Sequence, residues 1–513
     1  MTEQSIPTSG QSIPTSEQSI PVTGPVLADV AVVGAGPAGL SAAVVAAEHG
    51  LQVVLIDAAR QTGGQYWRHP DERHRDAFAA PESTGHHHWT HYTDLRDRLA
   101  AAVASGRIRH LAGRQVWRTD GFDDRLALRT SAVGGTDTLP LADRTTWARR
   151  LIVATGAYDR QLPVPGWTLP GVMAAGGVQA MLKANQVQAG RRAVVAGTGP
   201  FLLSVAAGLA EAGVEVVEVV DANALSRWAA TPLRALQEPG KLWEGVHYAA
   251  TFLRHRVPFR TRTVVTAVRG SGRAKEVELA RVDAAGRVRP GSSRTVTADL
   301  VAFGWGFTPQ LELAVGLGLR TRIDVDGSLV IDVDDDMRSS DRLVFAAGEV
   351  TGIGGAIASC AEGELAGSAV AQDLGAPAGR RTMARHRRRL RRGRRFAIGM
   401  HRASPVPEAW DEWLTPETHI CRCEEVTAAE VTDAVDGLRA DDARDVRVTA
   451  RPGMGLCQGR VCGFALSKLV ATGTGSVVDA PALESLTNRQ VGVPVSLGDL
   501  AALVPHHPNQ EES

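Results

Sequence analysis

The sequence predicts an α/β protein that contains two nucleotide-binding βαβ units and a small cysteine-bearing domain near its C-terminus. Each unit is indicated by a glycine-rich turn that follows a short apolar run and precedes an apolar helical segment. The small domain is indicated by four of the five cysteines, which all lie between positions 421 and 462. With 513 residues, the chain has room for about three domains of ordinary size.

Composition and charge exclude several classes of protein. Hydrophobic residues make up 44% of the chain and aromatic residues only 5%, with 54 glycines, which suits Ala/Val/Gly-rich α/β layers. The formal net charge is zero, so nothing favours nucleic acid as the main partner. The sequence has no apolar run long enough for a transmembrane segment, and no basic region followed by a hydrophobic stretch at the N-terminus. We therefore expect a cytoplasmic protein, which agrees with reduced thiols.

Three segments fall outside the expected folded units. Residues 1–26 contain the motif Gln-Ser-Ile-Pro three times, and this Pro/Ser-rich composition predicts a disordered tail. Ten of the sixteen residues from 380 to 395 are arginine, within a connector predicted over 376–416. This charge run predicts a solvated helix face or linker. The alternative is a basic surface that docks a partner subunit or an anionic membrane. Residues 476–513 are predicted to form a C-terminal extension.

The first βαβ unit begins with a buried strand at 29–33 and continues into a Gly-x-Gly-x-x-Gly turn. Gly34 allows the tight turn, Gly36 lets a pyrophosphate approach the backbone, and Gly39 lets helix and strand pack closely. The helix N-terminus supplies N–H groups to the phosphates. Asp57 ends the next strand and can accept hydrogen bonds from a ribose diol. The combination predicts a dinucleotide site.

Three further places resemble FAD-dependent pyridine-nucleotide-type oxidoreductases. They are the Gly64-Gln65 turn, the Thr155-Gly156 turn and the end of a strand at Gly348-Glu349. The resemblance implies that the first turn lies near FAD, that the second carries the chain out of the FAD domain, and that the acid holds the ribityl chain. Glu349 stands where Asp is commoner. Together these matches imply a discontinuous FAD domain, residues 27–165 and 297–375.

The second βαβ unit, within an inserted domain predicted over 166–296, departs from the fingerprint. Gly197 and Gly199 occupy the first two glycine positions, but Leu202 replaces the third. Leucine is expected to push the helix away from the strand, so NAD, another nucleotide and no ligand all stay open. If a nicotinamide cofactor binds, Asp221 favours NAD over NADP because a carboxylate repels a 2′-phosphate.

The cysteines form two close pairs, which predicts a metal centre. One residue separates Cys421 from Cys423, and four separate Cys457 from Cys462. Disulfides are not expected, because nothing indicates secretion. Structural zinc, the main alternative, usually takes Cys-x-x-Cys pairs with two or more intervening residues. Spacings of one and four residues are closer to those of iron–sulfur sites, and inert buried thiols are the remaining alternative. Residues 417–475 resemble the bacterioferritin-associated-ferredoxin-like domain, which implies that these four cysteines bind a 2Fe–2S cluster.

Thiol–disulfide chemistry beside a flavin is not expected. Neither a Cys-x-x-Cys nor a Cys-x4-Cys pair occurs before Cys421. Cys360 is alone in an Ala/Gly-rich segment and is predicted to fill core space. The sequence also offers no general acid–base set, so no catalytic residue is predicted.

The order of these parts resembles the α subunits of bacterial hetero-oligomeric amine dehydrogenases. Opine oxidase, D-hydroxyproline dehydrogenase, hydrogen cyanide synthase and sarcosine oxidase belong to this group. The stretches that carry the resemblance best are 154–160, 163–172 and 453–463.

This resemblance implies an electron-transferring oxidoreductase subunit that contains FAD and a 2Fe–2S cluster. A smaller FAD-dependent partner would oxidise a small amine or imino acid, and a short ferredoxin-like chain would complete some assemblies. Two other functions stay open. One is a self-contained NAD(P)H-dependent reductase that passes electrons to an acceptor through the cluster, and the other is a non-catalytic scaffold.

Overall fold

The computed structural model describes residues 27–81, 85–134, 137–230, 239–377, 379–489 and 491–501. The predicted disordered tail, residues 1–26, lies outside this described part. Within it, strands and helices alternate, and they confirm the predicted α/β class.

The strands and helices are numbered in chain order. The strands are β1 (Leu27–Val33), β2 (Val53–Asp57), β3 (Ile108–Ala112), β4 (Arg114–Gly121), β5 (Leu126–Ala132), β6 (Thr145–Val153), β7 (Ala157–Asp159), β8 (Val172–Ala174), β9 (Arg192–Gly197), β10 (Glu215–Asp221), β11 (Phe259–Thr261), β12 (Thr263–Arg269), β13 (Glu276–Arg281), β14 (Arg294–Thr297), β15 (Leu300–Gly304), β16 (Phe307–Pro309), β17 (Thr321–Ile323), β18 (Leu329–Ile331), β19 (Val344–Ala346), β20 (His419–Cys421) and β21 (Val426–Thr427). The α-helices are α1 (Pro37–Glu48), α2 (Trp89–Ala104), α3 (Ala175–Asn185), α4 (Phe201–Glu211), α5 (Pro239–His255), α6 (Glu312–Gly316), α7 (Ala356–Asp373), α8 (Arg380–Ala403), α9 (Ala428–Asp436), α10 (Ala443–Ala450), α11 (Gly463–Thr474), α12 (Ala480–Thr487) and α13 (Leu497–Ala501).

The first sheet has the strand order β3-β2-β1-β6-β5-β4, and β19 also pairs with β6. β1 runs parallel to β2 and β6, with Val32 opposite Leu55 and Ile152. A central parallel strand is covered on both faces, so it needs a continuous apolar run, and the buried residues 30–33 supply one.

Helices α1 and α7 pack against each other on one side of this sheet, and glycines allow the close approach. A Cβ at Gly363 would lie 2.0 Å from the carbonyl oxygen of Ala38, and one at Gly367 would lie 2.6 Å from that of Ala42. The helices that follow β1 and β19 therefore lie side by side.

The second sheet has the order β11-β10-β9-β15-β8, and an antiparallel β12-β13-β14 sheet shares its core. The chain leaves the first unit through β7 and returns through β16, which pair with Asp159 opposite Phe307. The predicted division at 296/297 differs from the observed pairing, because β15 hydrogen-bonds to β9 and β8 in the second sheet.

The small domain contains β20, β21 and helices α9 to α11 around its own apolar cluster. Ile420, Val446 and Leu466 are buried there with Cys421 and Cys462. Helix α12, which lies in the predicted C-terminal extension, packs on α10 and α11. The extension therefore continues the small domain in space.

The arginine run forms helix α8. Met383, Leu390 and Ala397, which recur at seven-residue intervals, are buried on one face. None of the helices in the described part of the chain is apolar over a stretch long enough to cross a bilayer.

Candidate functional site

The first glycine turn is held so tightly that two of its positions admit no side chain. Gly34 has φ +105°, and a Cβ there would lie 2.2 Å from the carbonyl oxygen of Ala154. A Cβ at Gly39 would lie 1.8 Å from the carbonyl oxygen of Gly34. Gly36 is the N-cap of α1, so the first-turn N–H groups of that helix open toward the turn.

Gly64 lines the open side of this turn. A Cβ on Gly64, which has φ +59°, would lie 2.8 Å from the Cα of Gly36, and the Gly63 N–H donates to the Ala35 carbonyl at 2.8 Å. Two glycine backbones thus form the floor of a groove that side chains would fill. Gln65, predicted beside the cofactor, is exposed.

The carboxylate of Asp57 lies beneath the turn. It accepts the backbone N–H groups of Ala35 at 2.5 Å and Ala59 at 2.6 Å. Burial raises its pKa, and the two N–H groups oppose that shift. The acid is therefore positioned at the turn, where a ribose hydroxyl can reach it.

The Thr155-Gly156 turn meets the same edge of the sheet. The Ala154 N–H donates to the Val33 carbonyl at 2.9 Å, and the Thr155 hydroxyl donates to the Gln310 carbonyl at 2.7 Å. Gly156 has φ +78°. The turn thus ties the returning chain to the glycine loop.

The second strand-end motif faces the start of α1. A Cβ on Gly348 would lie 2.8 Å from the Cβ of Ala38, and the Gly348 N–H donates to Glu362 at 2.7 Å. Glu349 is half-buried beside it, and desolvation raises the pKa of its carboxyl group to about 7. Nine predicted residues therefore converge at this edge of the first sheet: Gly34, Gly36, Gly39, Asp57, Gly64, Thr155, Gly156, Gly348 and Glu349.

Three charged residues at this edge were not predicted. Arg394 of α8 forms an ion pair with buried Glu362 and donates to the Gly352 carbonyl at 2.7 Å. Asp159 accepts the Gly176 N–H at 3.1 Å, and burial raises its pKa. Arg394 belongs to the arginine run, where nothing in the sequence distinguishes it from its neighbours.

These residues fit FAD. The turn and the facing Gly64 leave a groove that has no side chains on its floor, and the helices α1 and α7 both begin at it. Asp57 and Glu349 each place one half-buried carboxyl group beside the turn that follows their strand.

The second glycine turn is packed as tightly as the first, but a glycine on a neighbouring strand makes room for the leucine at its third glycine position. A Cβ at Gly197 would lie 2.0 Å from the carbonyl oxygen of Gly304. Leu202 is fully buried, and a Cβ on Gly304 would lie 2.9 Å from its Cδ2 atom. Gly304 on β15 therefore supplies the space that a glycine on the helix would otherwise supply.

The chain itself covers this second turn. A Cβ at Gly199 would lie 3.5 Å from the Cβ of Ser404, and Asn223 donates to the Pro405 carbonyl at 2.9 Å and to the Thr198 hydroxyl at 2.6 Å. The segment 404–405 directly follows α8. Among the residues that the structure describes, the corresponding face of the first turn meets only Gly64.

Asp221 lies at the end of β10, beside this covered turn. It accepts the N–H groups of Asn223 at 2.8 Å and Gly199 at 3.3 Å. Desolvation raises its pKa to about 6. Its position matches that of Asp57 in the first unit.

The four cysteines meet as two pairs. The side chains of Cys421 and Cys462 lie next to each other, as do those of Cys423 and Cys457. The neighbouring Cys462 lowers the pKa of Cys421 to about 5, and Cys421 in turn raises the pKa of Cys462. In the described part of the chain, no three His, Cys, Asp or Glu side chains are gathered to hold one metal ion.

Glycines shape the loops around these sulfurs. The Gly453 N–H donates to the Cys421 sulfur at 3.4 Å, and a Cβ on Gly455 would lie 2.5 Å from that of Cys423. Cys421 and Cys462 are buried, whereas Cys423 is exposed. Two thiol pairs with one exposed edge fit a two-iron centre, in which each iron takes two protein ligands.

Arg460, which lies between Cys457 and Cys462, connects this loop to the part of the chain built around the first sheet, here called the first domain. It donates to the Tyr158 hydroxyl at 2.9 Å and to the Cys457 carbonyl at 3.3 Å, and its Nε lies 2.6 Å from Glu312. Tyr158 follows Gly156 by two positions. Two further contacts support this junction: Trp167 donates to the His419 carbonyl at 2.7 Å, and Arg160 stacks 4.0 Å from the ring centre of Phe464.

Comparison with known proteins agrees with this geometry. Residues 28–372 match the family described as pyridine nucleotide-disulphide oxidoreductase, and the chain belongs to that family of FAD-dependent oxidoreductases. An opine oxidase subunit of Rhizobium meliloti strain 1021 is 33% identical over 500 residues, which cover 93% of this chain and 99% of the relative. The hydrogen cyanide synthase subunit HcnB of Pseudomonas aeruginosa is 31% identical over 442 residues, which cover 84% of this chain and 90% of the relative.

The chain is thus a member of the group formed by these subunits, as the sequence motifs predict. L-Proline dehydrogenase from P. horikoshii has a similar fold, with a TM-score of 0.64 at 18% identity over 93% of this chain and 80% of that one. The only cysteine before the small domain is Cys360, which is buried in α7, so the chain lacks a cysteine pair at the first site.

Proposed function

We propose that this chain is the electron-transferring subunit of a complex that dehydrogenates a small amine or amino acid. In this proposal the first glycine turn holds FAD and the four cysteines hold a 2Fe–2S cluster. The observation that carries the proposal is the junction at Arg460, because one side chain contacts both the cysteine loop and the strand that follows the Thr155-Gly156 turn.

In the proposed FAD site, the first glycine turn and the strand-end motif at Gly348-Glu349 bind different parts of the cofactor. Gly36 and Gly64 leave room for the pyrophosphate against backbone N–H groups, and Asp57 accepts from the ribose. Desolvation raises the pKa of Glu349 to about 7, so its carboxyl group can donate or accept a hydrogen bond at the ribityl chain. Arg394 neutralises Glu362 and keeps the neighbouring 348–352 turn in place.

The cysteine loops have a different task. The Gly453 N–H stabilises negative charge on the Cys421 sulfur, and the lowered pKa of Cys421 favours a thiolate. Cys423 lies at the exposed edge, where a partner can approach. FAD takes up two electrons and releases them singly, and a 2Fe–2S cluster carries one at a time.

The substrate class comes from the relatives. They are named as subunits of opine oxidase and hydrogen cyanide synthase, and the similar fold belongs to a proline dehydrogenase. We place amine oxidation on a smaller flavin-containing companion subunit, as the resemblance to the α subunits of amine dehydrogenases implies.

Anaerobic purification of the chain tests this proposal. We expect one FAD, two irons and two acid-labile sulfides per chain, and a Cys457→Ser variant that keeps FAD, loses iron and stops turnover of the complex. Cys360→Ser is the matched control, since Cys360 lies in a helix core, and it should keep both. Stoichiometric zinc, or turnover that survives Cys457→Ser, would contradict the electron-transfer role.

The covered second turn argues against a self-contained NAD(P)H reductase. Ser404 and Pro405 lie against the turn, on the side where a dinucleotide phosphate would approach. We therefore expect that NADH does not bleach the flavin of the isolated chain, whereas amine does so when the companion subunit is present. Rapid bleaching by NADH alone would favour the reductase.

A further inference from the structure

Helix α8 carries a row of arginines whose counter-ions are not found in the described part of this chain. Five exposed arginines follow one another at intervals of four and three residues, which we call the arginine stripe: Arg381, Arg385, Arg388, Arg392 and Arg395. At 3.6 residues per turn they lie within an arc of about 80° and extend for roughly 21 Å. None of the five has a hydrogen bond or ion pair with another described residue.

The side of the same helix that adjoins the stripe shows what paired arginines look like in this protein. Arg387 lies 2.5 Å from Asp336, Arg391 lies 2.7 Å from Asp335, and Arg394 pairs with Glu362. Acidic residues of the first domain therefore fix one side of α8. The stripe on the outer side repeats positive charge at neighbouring helix positions, which destabilises a helix unless anions approach it.

We propose that the arginine stripe is the docking surface for an acid-rich face of the companion subunit. The inference rests on the proposed function, which requires such a subunit. The charge of the stripe supports it, because five like charges on one helix, in a chain with a net charge of zero, produce a local positive field that an acid-rich surface would complement. The relatives of this chain are themselves named as subunits.

The surroundings of the stripe favour a protein over a membrane. Helices that lie on membranes alternate basic residues with large apolar ones that enter the lipid. The exposed residues between the arginines that the structure describes are small, namely Thr382 and Ala384, and no large exposed apolar side chain occurs on α8 within its described residues.

The test uses the complex assembled from the purified chain and its companion subunit. A triple reversal, Arg385→Glu with Arg388→Glu and Arg392→Glu, should weaken association by ~100-fold or more. The matched control reverses three exposed arginines elsewhere, at 254, 273 and 289, with the same change in net charge, and should change the dissociation constant by less than about 3-fold. Raising NaCl from 50 to 300 mM should weaken the wild-type complex and leave the triple variant nearly unaffected.

Photo-crosslinking identifies the molecule that binds the arginine stripe. A benzoylphenylalanine placed at position 388 should crosslink to an Asp/Glu-rich segment of the companion, and one placed at position 289 should not. Three results would overturn the proposal: unchanged association of the triple variant, stripe-dependent binding to vesicles with 30% phosphatidylglycerol, or stripe-dependent self-association. FAD and iron contents of the isolated chain test the proposed function separately, so the two can fail independently.

Discussion

The ion pair between Arg460 and Glu312 allows the sharpest prediction. Both side chains are nearly buried, with 13% and 7% exposure, at the junction of the small cysteine-bearing domain and the first domain. Arg460→Met keeps an unbranched apolar stem and removes the guanidinium charge, which leaves the Glu312 carboxylate without its cation. Removing one partner of a buried pair costs about 3–5 kcal/mol, much more than the pair itself contributes.

For a domain of this size, 3 kcal/mol corresponds to a shift of at least about 10 °C in the unfolding midpoint. We expect calorimetry of the cofactor-free protein to show this loss in the transition of the cysteine domain. Adding Glu312→Gln to Arg460→Met should restore about 2 kcal/mol, because a neutral amide costs less to bury without a partner. Arg451→Met is the control, since Arg451 pairs with Glu424 at an exposed site, and it should cost less than about 1 kcal/mol.

The pH dependence provides an independent check. Burial raises the pKa of Glu312 above its unfolded value, so its protonated form favours the folded state. Stability from this group is present at low pH and is lost as the pH rises through the folded-state pKa. The deficit of Arg460→Met should therefore be smaller at pH 5 than at pH 8. A deficit below about 1 kcal/mol at pH 8, or one that does not change with pH, would refute the coupling between the domains at this site.

Three other predictions follow from single positions. Gly39→Ala should abolish FAD retention, because its Cβ would lie 1.8 Å from the Gly34 carbonyl oxygen. The control Gly121→Ala, whose Cβ would meet no atom within 4 Å, should retain FAD. The absorbance of the purified variants at 450 nm measures the bound FAD. Glu349 has a pKa of about 7 in place of 4.5, so cofactor-free protein should lose roughly 1 kcal/mol between pH 6 and 8, and Glu349→Gln should remove that loss in thermal unfolding scans. Gly304→Ala should destabilise the second domain by about 1–3 kcal/mol, since its Cβ would lie 2.9 Å from Leu202. In urea unfolding, the double variant Gly304→Ala with Leu202→Ala should lose less free energy of unfolding than the two single variants lose together.

The sequence predicts the parts of this protein whose chemistry is local. The strand before Gly34 and the acid at Asp57 lie where the motif places them, because the turn geometry depends on residues a few positions apart. The effect of Leu202 is not predictable in this way, since its compensating residue, Gly304, is about a hundred positions away. Arg394 and Glu362 are likewise brought together only by the packing of α8 on α7.

The cysteine spacing shows the same limit. The two pairs, Cys421 with Cys423 and Cys457 with Cys462, are close in sequence, yet the structure brings Cys421 to Cys462 and Cys423 to Cys457. The sequence predicts which residues share a site, and the loop conformations determine which sulfur meets which. Cofactor binding at both sites stays a prediction for the iron and FAD measurements.

The attachment of the small domain at both of its ends has a mechanical consequence. Before it, Pro405 is hydrogen-bonded to Asn223 of the second domain; after it, Asp499 forms an ion pair with Arg144 of the first domain at 2.6 Å. A domain anchored on both sides cannot swing between a donor and an acceptor as a mobile carrier does. These contacts hold the small domain against the rest of the chain, so in the proposed function an acceptor would have to approach the exposed Cys423.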